Sequence, residues 1–190
     1  MKKTGNTALR AGAFTLLELL IVITIIGVLT SILILDFVGV KQRQELSLMA
    51  DQTVAMLQQA RGEVSAGKVK DDTFLCEGAF FEDGEAPLFA VADYDEENAV
   101  CANFMTEHYG LSTGGAFATN ITVAEMEYDA VWVFYSPPEG DVVFFSENEE
   151  VLSGSASVHF GHTMPVDLDL SITISSVTNL VTLSLGDNEE

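Results

Sequence analysis

Residues 12–35 read GAFTLLELLIVITIIGVLTSILIL, an apolar run broken by one carboxylate, Glu18. Phe14 to Leu35 is 22 residues, and a helix of that length reaches about 33 Å, enough for the roughly 30 Å hydrocarbon layer of a bilayer. Val22, Ile23, Thr24, Ile25 and Ile26 would weaken a helix in water, but lipid offers the backbone no other partners and enforces helix. Lys2, Lys3 and Arg10 precede the run and Asp36 follows it. That asymmetry predicts a single pass with the N-terminus in the cytoplasm and everything after Leu35 outside. A cleaved secretory signal has a shorter apolar core and a small-residue cut site on its far side. Here DFVGVKQRQ follows instead, so the span is expected to survive in the mature chain.

The helix is expected to continue beyond the membrane. Leu46, Ala50, Thr53, Leu57, Ala60 and Val64 recur at alternating steps of four and three, the seam of an amphipathic helix. No proline interrupts residues 14–64. One continuous helix is the economical reading, and two helices broken near Gly39 the alternative. Beyond Gly67 the periodicity changes to short β-branched and aromatic runs: ITVAEME (121–127), AVWVFYS (130–136), DVVFFSE (141–147), ASVHF (156–160), LSITIS (170–175) and LVTLSL (180–185). PPEGD (137–141) and SVTN (176–179) supply turns between them. GAFF (78–81) and APLFAVA (86–92) are further candidate strands. The fold class is therefore α+β: a long N-terminal helix, membrane-spanning in its first half and amphipathic in its second, packed on an antiparallel β-rich head. The expected division is a leader 1–13, a transmembrane helix 14–35, its amphipathic continuation 36–66 and an acidic extracytoplasmic head 67–190.

The charge is uneven. Eight basic residues face 29 acidic ones, for a net charge of −21, and no Lys or Arg follows Lys70. Such a head repels phosphate backbones and is not expected to bind nucleic acid by itself. Solubility accounts for most of the acid, with a divalent-cation site as the alternative. Cys76 and Cys101 are the only cysteines. In an exported domain they are expected to form a disulfide rather than remain as two buried thiols.

Glu18 then needs an explanation, because an ionised carboxylate within a span costs about 2–3 kcal/mol at mid-bilayer and no Lys or Arg lies nearby. A cut just before Phe14 would create an α-amine, mostly cationic with a reference pKa of about 8. An axially displaced neighbour can then bring its amine to this carboxylate, and assembly satisfies both charges. Buried pairs of this kind set register more than they add stability.

GAFTLLELLIVITIIGVLTS resembles the N-terminal signature of type IV pilins and type II secretion pseudopilins, and the basic leader resembles theirs as well. The resemblance implies a leader removed by a membrane prepilin peptidase, methylation of the new N-terminus, and a glutamate at mature position five that aligns the next subunit. Carried onto this chain, the cleavage residues are Gly12, Ala13 and Phe14, the methylated residue is Phe14, and the assembly residue is Glu18. The family usually has Gly before the cut, where Ala13 stands here. Cleavage after Gly12 would make Glu18 the sixth residue, so the Ala13/Phe14 bond is preferred. Many members carry a proline about twenty residues into the mature helix; near that place this chain has Leu35. The layout is most similar to minor pilins or minor pseudopilins. The implied role is a structural subunit of a type IV pilus or type II secretion pseudopilus, held in the cytoplasmic membrane and then in an extracytoplasmic filament. Its implied partners are other pilin or pseudopilin subunits, the prepilin peptidase, a membrane assembly platform and membrane lipid. The alternative is a non-polymerising anchored binding protein with a cation-binding acidic head.

No catalytic constellation emerges. HFGH (159–162) offers two imidazoles without a third ligand nearby, so both are expected to be exposed polar residues near a strand end rather than zinc ligands. DYDEEN (93–98) starts like a calcium loop, but it lacks the central Gly and has Phe104 at position twelve. A calcium site of another type there or at residues 147–150 is a lesser expectation; otherwise no cofactor and no metal ligand is assigned. Neither a glycine-rich phosphate loop nor a Gly-x-Ser-x-Gly elbow occurs. The chain is read as not an enzyme.

Overall fold

The computed structural model describes residues 15–70, 72–107, 111, 114–163 and 168–186; the side chains at 32–36, 107 and 186 are not described. Residues 1–13, expected as a leader, and Phe14 lie outside this set. The chain divides into two units, Met1–Gly39 and Val40–Glu190.

In the first unit the described residues form the start of one helix, α1 (Leu16–Ser65), which runs on into the second. Every described side chain from Thr15 to Ser31 is exposed.

In the second unit α1 ends at a left-handed glycine. Gly67 (φ 76°) places its N–H 2.9 Å from the Val64 carbonyl, and the Lys68 N–H reaches the Glu63 carbonyl at 3.2 Å. This pair of bonds satisfies carbonyls that the helix end leaves open. Twelve strands follow: β1 (Val69–Lys70), β2 (Thr73–Glu82), β3 (Leu88–Asp95), β4 (Val100–Glu107), β5 (Ala116–Val123), β6 (Met126–Tyr128), β7 (Ala130–Ser136), β8 (Asp141–Ser146), β9 (Val151–Leu152), β10 (Ser155–His162), β11 (Asp169–Ser175) and β12 (Leu180–Gly186). They make two antiparallel sheets. One is ordered β4-β3-β2-β7-β8-β9 with β1 on β2, and the other β12-β11-β10-β5-β6.

Both sheets turn an apolar face to the helix seam. Leu46, Ala50, Thr53, Leu57, Ala60 and Val64 are each at most 1 % exposed. The apolar members of the seam join one core with Ala79 and Phe81 of β2, Val133 of β7, Ile121 of β5, Val158 of β10 and Ile172 of β11. Thr53, the polar member of the stripe, satisfies its hydroxyl by donating to the Met49 carbonyl at 2.8 Å. The fold class is thus α+β, with a long N-terminal helix and an antiparallel β-rich head.

Two strand readings are corrected. The run 121–127 is not one strand: Ala124 (φ 50°) and Glu125 (φ 68°) form a two-residue turn, and Val123 pairs with Met126 across it. Both central residues have positive φ, the twist a tight hairpin demands, although neither is Gly or Asn. β4 had no counterpart among the expected strands. It pairs with β3 through a register shift between Val91 and Asp93, with Asn103 at φ 57°.

Cys76 on β2 and Cys101 on β4 form a disulfide with a Cα–Cα distance of 6.0 Å. Between them in the sheet lies β3, and two strand spacings in a flat sheet are about 9.5 Å. The sheet is therefore sharply curled here. The curl lays Phe104 of β4 over the outer face of β7 and β8, with ring centroids 5.3 Å from Trp132, 4.9 Å from Phe134 and 4.8 Å from Phe145. A second, smaller core results.

Candidate assembly site

The helix start is built by Thr15 and Glu18. The Thr15 hydroxyl accepts the Glu18 N–H at 3.2 Å, and the Thr15 carbonyl accepts the N–H groups of Glu18 and Leu19 at 3.1 and 3.2 Å. Thr15 is thus the N-cap and Glu18 the third helical residue, the Thr-x-x-Glu spacing of a capping box. A carboxylate in the first turn also meets the positive end of the helix dipole. The sequence carries this signal as TLLE, and the reading of Glu18 from membrane cost alone missed it. Gly12, Ala13 and Phe14, on which the cleavage and methylation readings fall, lie outside the described residues.

Further along, each described hydroxyl of the apolar stretch is tied to its own helix. Thr24 donates to the Ile21 carbonyl at 2.8 Å, Thr30 to that of Ile26 at 2.7 Å and Ser31 to that of Gly27 at 2.8 Å. These hydroxyls need no water. Among the described residues no helix is long and apolar enough to cross a membrane. The run 14–35 read as a span includes Phe14 and the side chains of 32–35, which are not described.

The head places its ionisable groups elsewhere. His159 and His162 stand three apart on β10 and so face opposite sides of the sheet. His159 Nδ1 lies 3.0 Å from Asp169 Oδ1, and His162 Nε2 lies 3.1 Å from Glu45 Oε2 on α1. The expectation of two exposed imidazoles is corrected for His162, whose side chain is 3 % exposed. Its hydrogen bond, followed by the Lys41 ammonium at 3.3 Å, holds the Glu45 carboxyl below its ordinary range.

In the DYDEEN segment, Asp95 builds a turn. Its carboxylate accepts the Glu97 N–H at 2.9 Å, the Asn98 N–H at 3.3 Å and the Asn98 side-chain amide at 2.6 Å, and these bonds, the amide first, lower its pKa. Asp93 accepts from the Asn103 amide at 3.0 Å. Among the described residues no three His, Cys, Asp or Glu side chains are grouped to hold a metal ion.

One acid is buried. Glu77 of β2 points to the helix side and is enclosed, with Lys68 Nζ 2.5 Å from its Oε1 and 2.5 Å from Glu63 Oε2. Burial raises the Glu77 pKa, whereas the Lys68 hydrogen bond lowers that of Glu63. The sequence gives this residue no distinguishing mark.

No curated protein and no solved structure matches the chain. Residues 9–34 match the family described as the prokaryotic N-terminal methylation motif, a segment that contains Thr15, Glu18 and most of the apolar run. The chain therefore carries at its N-terminus the signature of type IV pilins and pseudopilins.

Proposed function

We propose that this chain is a prepilin: cut at the Ala13/Phe14 bond by a prepilin peptidase, methylated at Phe14, and assembled through α1 into a type IV pilus or type II secretion pseudopilus. The observation that carries the reading is the match of residues 9–34 to the methylation motif. The bare helix supports it, because a helix apolar on all sides with every described side chain exposed from Thr15 to Ser31 is stable only in lipid or among other helices. In this reading residues 14–35 sit in the cytoplasmic membrane until assembly, with the head outside. The partners are like subunits, the peptidase, an assembly platform and lipid.

Glu18 has two roles here. Within the chain its N–H is held by Thr15; between chains its carboxylate receives the freed amine of the next subunit's Phe14. The work is structural, and no residue is assigned to catalysis. Mass spectrometry of the mature N-terminus tests the reading: methyl-phenylalanine from residue 14 is expected, and a chain from native cells that still begins at Met1 overturns it. In a Glu18→Ala variant, membrane insertion is expected to be normal and incorporation into filaments lost.

A further inference from the structure

A pocket of about 240 Å³ lies among β1, β2, β3 and β4, lined by Lys70, Thr73, Leu75, Val91, Asp93 and Met105. Strand register brings these residues together. Lys70 is opposite Thr73, Leu75 opposite Asp93 and Val91 opposite Met105. Alternation along β2 and β3 then places all six on one side of the sheet, the side of Leu75 and Val91 in the main core. A bulge completes the wall. Where β3 advances two residues from Val91 to Asp93, β4 spends three, from Met105 to Ala102, with Asn103 at φ 57°. Bulges re-aim the side chains beside them, and the Asn103 amide holds the Asp93 carboxylate at 3.0 Å.

The pocket has an apolar floor and two opposite charges. Leu75 and Val91 are 4 % and 7 % exposed, whereas Met105, at the lip, is 48 % exposed. Lys70 and Asp93 border the same cavity, yet no ion pair joins them among the described residues. Thr73 adds a hydroxyl beside Lys70.

Charge selects the occupant. A net anion is repelled by Asp93 and by the chain's charge of −21, and a net cation is repelled by Lys70. A neutral apolar molecule covers both charges and pairs neither, leaving them desolvated without compensation. A zwitterion pairs both and carries no net charge for the head to repel. Size narrows the choice further, because pockets for drug-sized ligands measure roughly 300–1,000 Å³ and this one is smaller.

We propose that this pocket binds one free α-amino acid with an aliphatic or thioether side chain, such as leucine or methionine. Its carboxylate sits at Lys70 and Thr73, its ammonium at Asp93, and its side chain on Leu75, Val91 and Met105. The site belongs to the head and stands independently of the prepilin reading.

Isothermal titration of the full chain in detergent tests it, at about 0.5 M NaCl so that the long-range field of the acidic head is screened. L-Leucine and L-methionine are each expected to bind once per chain. L-Leucine methyl ester lacks the carboxylate, N-acetyl-L-leucine lacks the ammonium, and each is expected to bind at least about ten-fold more weakly, as the loss of one charged contact requires. Lys70→Met, at an exposed position, is expected to bind leucine about ten-fold more weakly than the parent chain and no better than its methyl ester. Asp93→Asn is expected to bind leucine no better than N-acetyl-leucine. The absence of saturable heat with both amino acids overturns the proposal, and so does a Lys70→Met chain that still discriminates against the ester. Ester binding equal to that of leucine would assign the pocket to the N-terminal residue of a peptide, and equal binding of the acetylated form to a C-terminal residue; either result overturns the free amino acid.

Discussion

Lys68 Nζ lies 2.5 Å from Oε1 of Glu77, a side chain 1 % exposed on the core side of β2. Lys68 is itself partly exposed and also holds Glu63 at the end of α1. One ammonium thus ties the last turn of the helix to the second strand, and the buried carboxylate depends on it. Burial raises the Glu77 pKa above its ordinary value, so the folded chain binds this proton more tightly than the unfolded one. Its contribution to stability therefore falls as pH rises through the interval between the two values. Glu77→Gln is expected to raise the melting temperature at pH 8 and to lose that advantage as the pH approaches 4. Thermal unfolding of the chain in detergent at several pH values checks it. Lys68→Met, which strands the acid, is expected to cost about 2 kcal/mol, less than for a fully buried pair because the lysine is partly solvated.

Glu45 behaves in the opposite sense. Its carboxyl is held below the ordinary range by His162 and Lys41, so the stability from this contact is present above the unfolded-state pKa and is lost as pH falls through the folded one. The protection of the α1 amides around residue 45, measured as exchange relative to the intrinsic rate at each pH, is expected to fall on acidification below about pH 4.5. Glu45→Gln is expected to flatten that response.

The helix seam is expected to be intolerant of loss of volume. Leu57→Ala deletes a side chain that is 0 % exposed and is expected to cost about 3 kcal/mol. Leu48→Ala, on the same helix but 46 % exposed, is expected to change stability by less than about 1 kcal/mol. Denaturant titration of the two variants separates them.

At the other end of α1, Thr15→Val removes the hydroxyl that accepts the Glu18 N–H and is expected to cost about 1 kcal/mol of helix stability at the first turn. Faster amide exchange confined to residues 16–19 is the measurement. Leucine 57 and its core should be unaffected.

Much of the fold was legible in the sequence because it rests on periodicity. The stripe from Leu46 to Val64 follows the helical repeat, and its apolar residues with Thr53 are buried in the core, as that repeat predicts. The hairpin of Ile172 and Ile174 with Leu183 and Leu185 follows the two-residue repeat, although β12 lies too far out for its leucines to be covered. What escaped was set by single backbone positions. Asn103 at φ 57° interrupts the alternation of β4, and the Ala124–Glu125 turn uses residues with no turn preference. The Thr15 cap was present as a four-residue pattern inside a segment already explained by lipid. Glu77 and His162 could not be recognised locally, since their partners Lys68 and Glu45 become neighbours only once β2, β10 and α1 are packed.

The Cys76–Cys101 bond passes over β3 instead of joining neighbouring strands, so reduction need not unzip the β2–β3–β4 ladder and releases its bend. Phe104 would then lift from Trp132 while the strand order persists. Closing the 25-residue separation contributes about 3 kcal/mol in the chain-entropy model, and the indole fluorescence of Trp132 becomes an optical gauge of the oxidation state of the compartment in which the head matured.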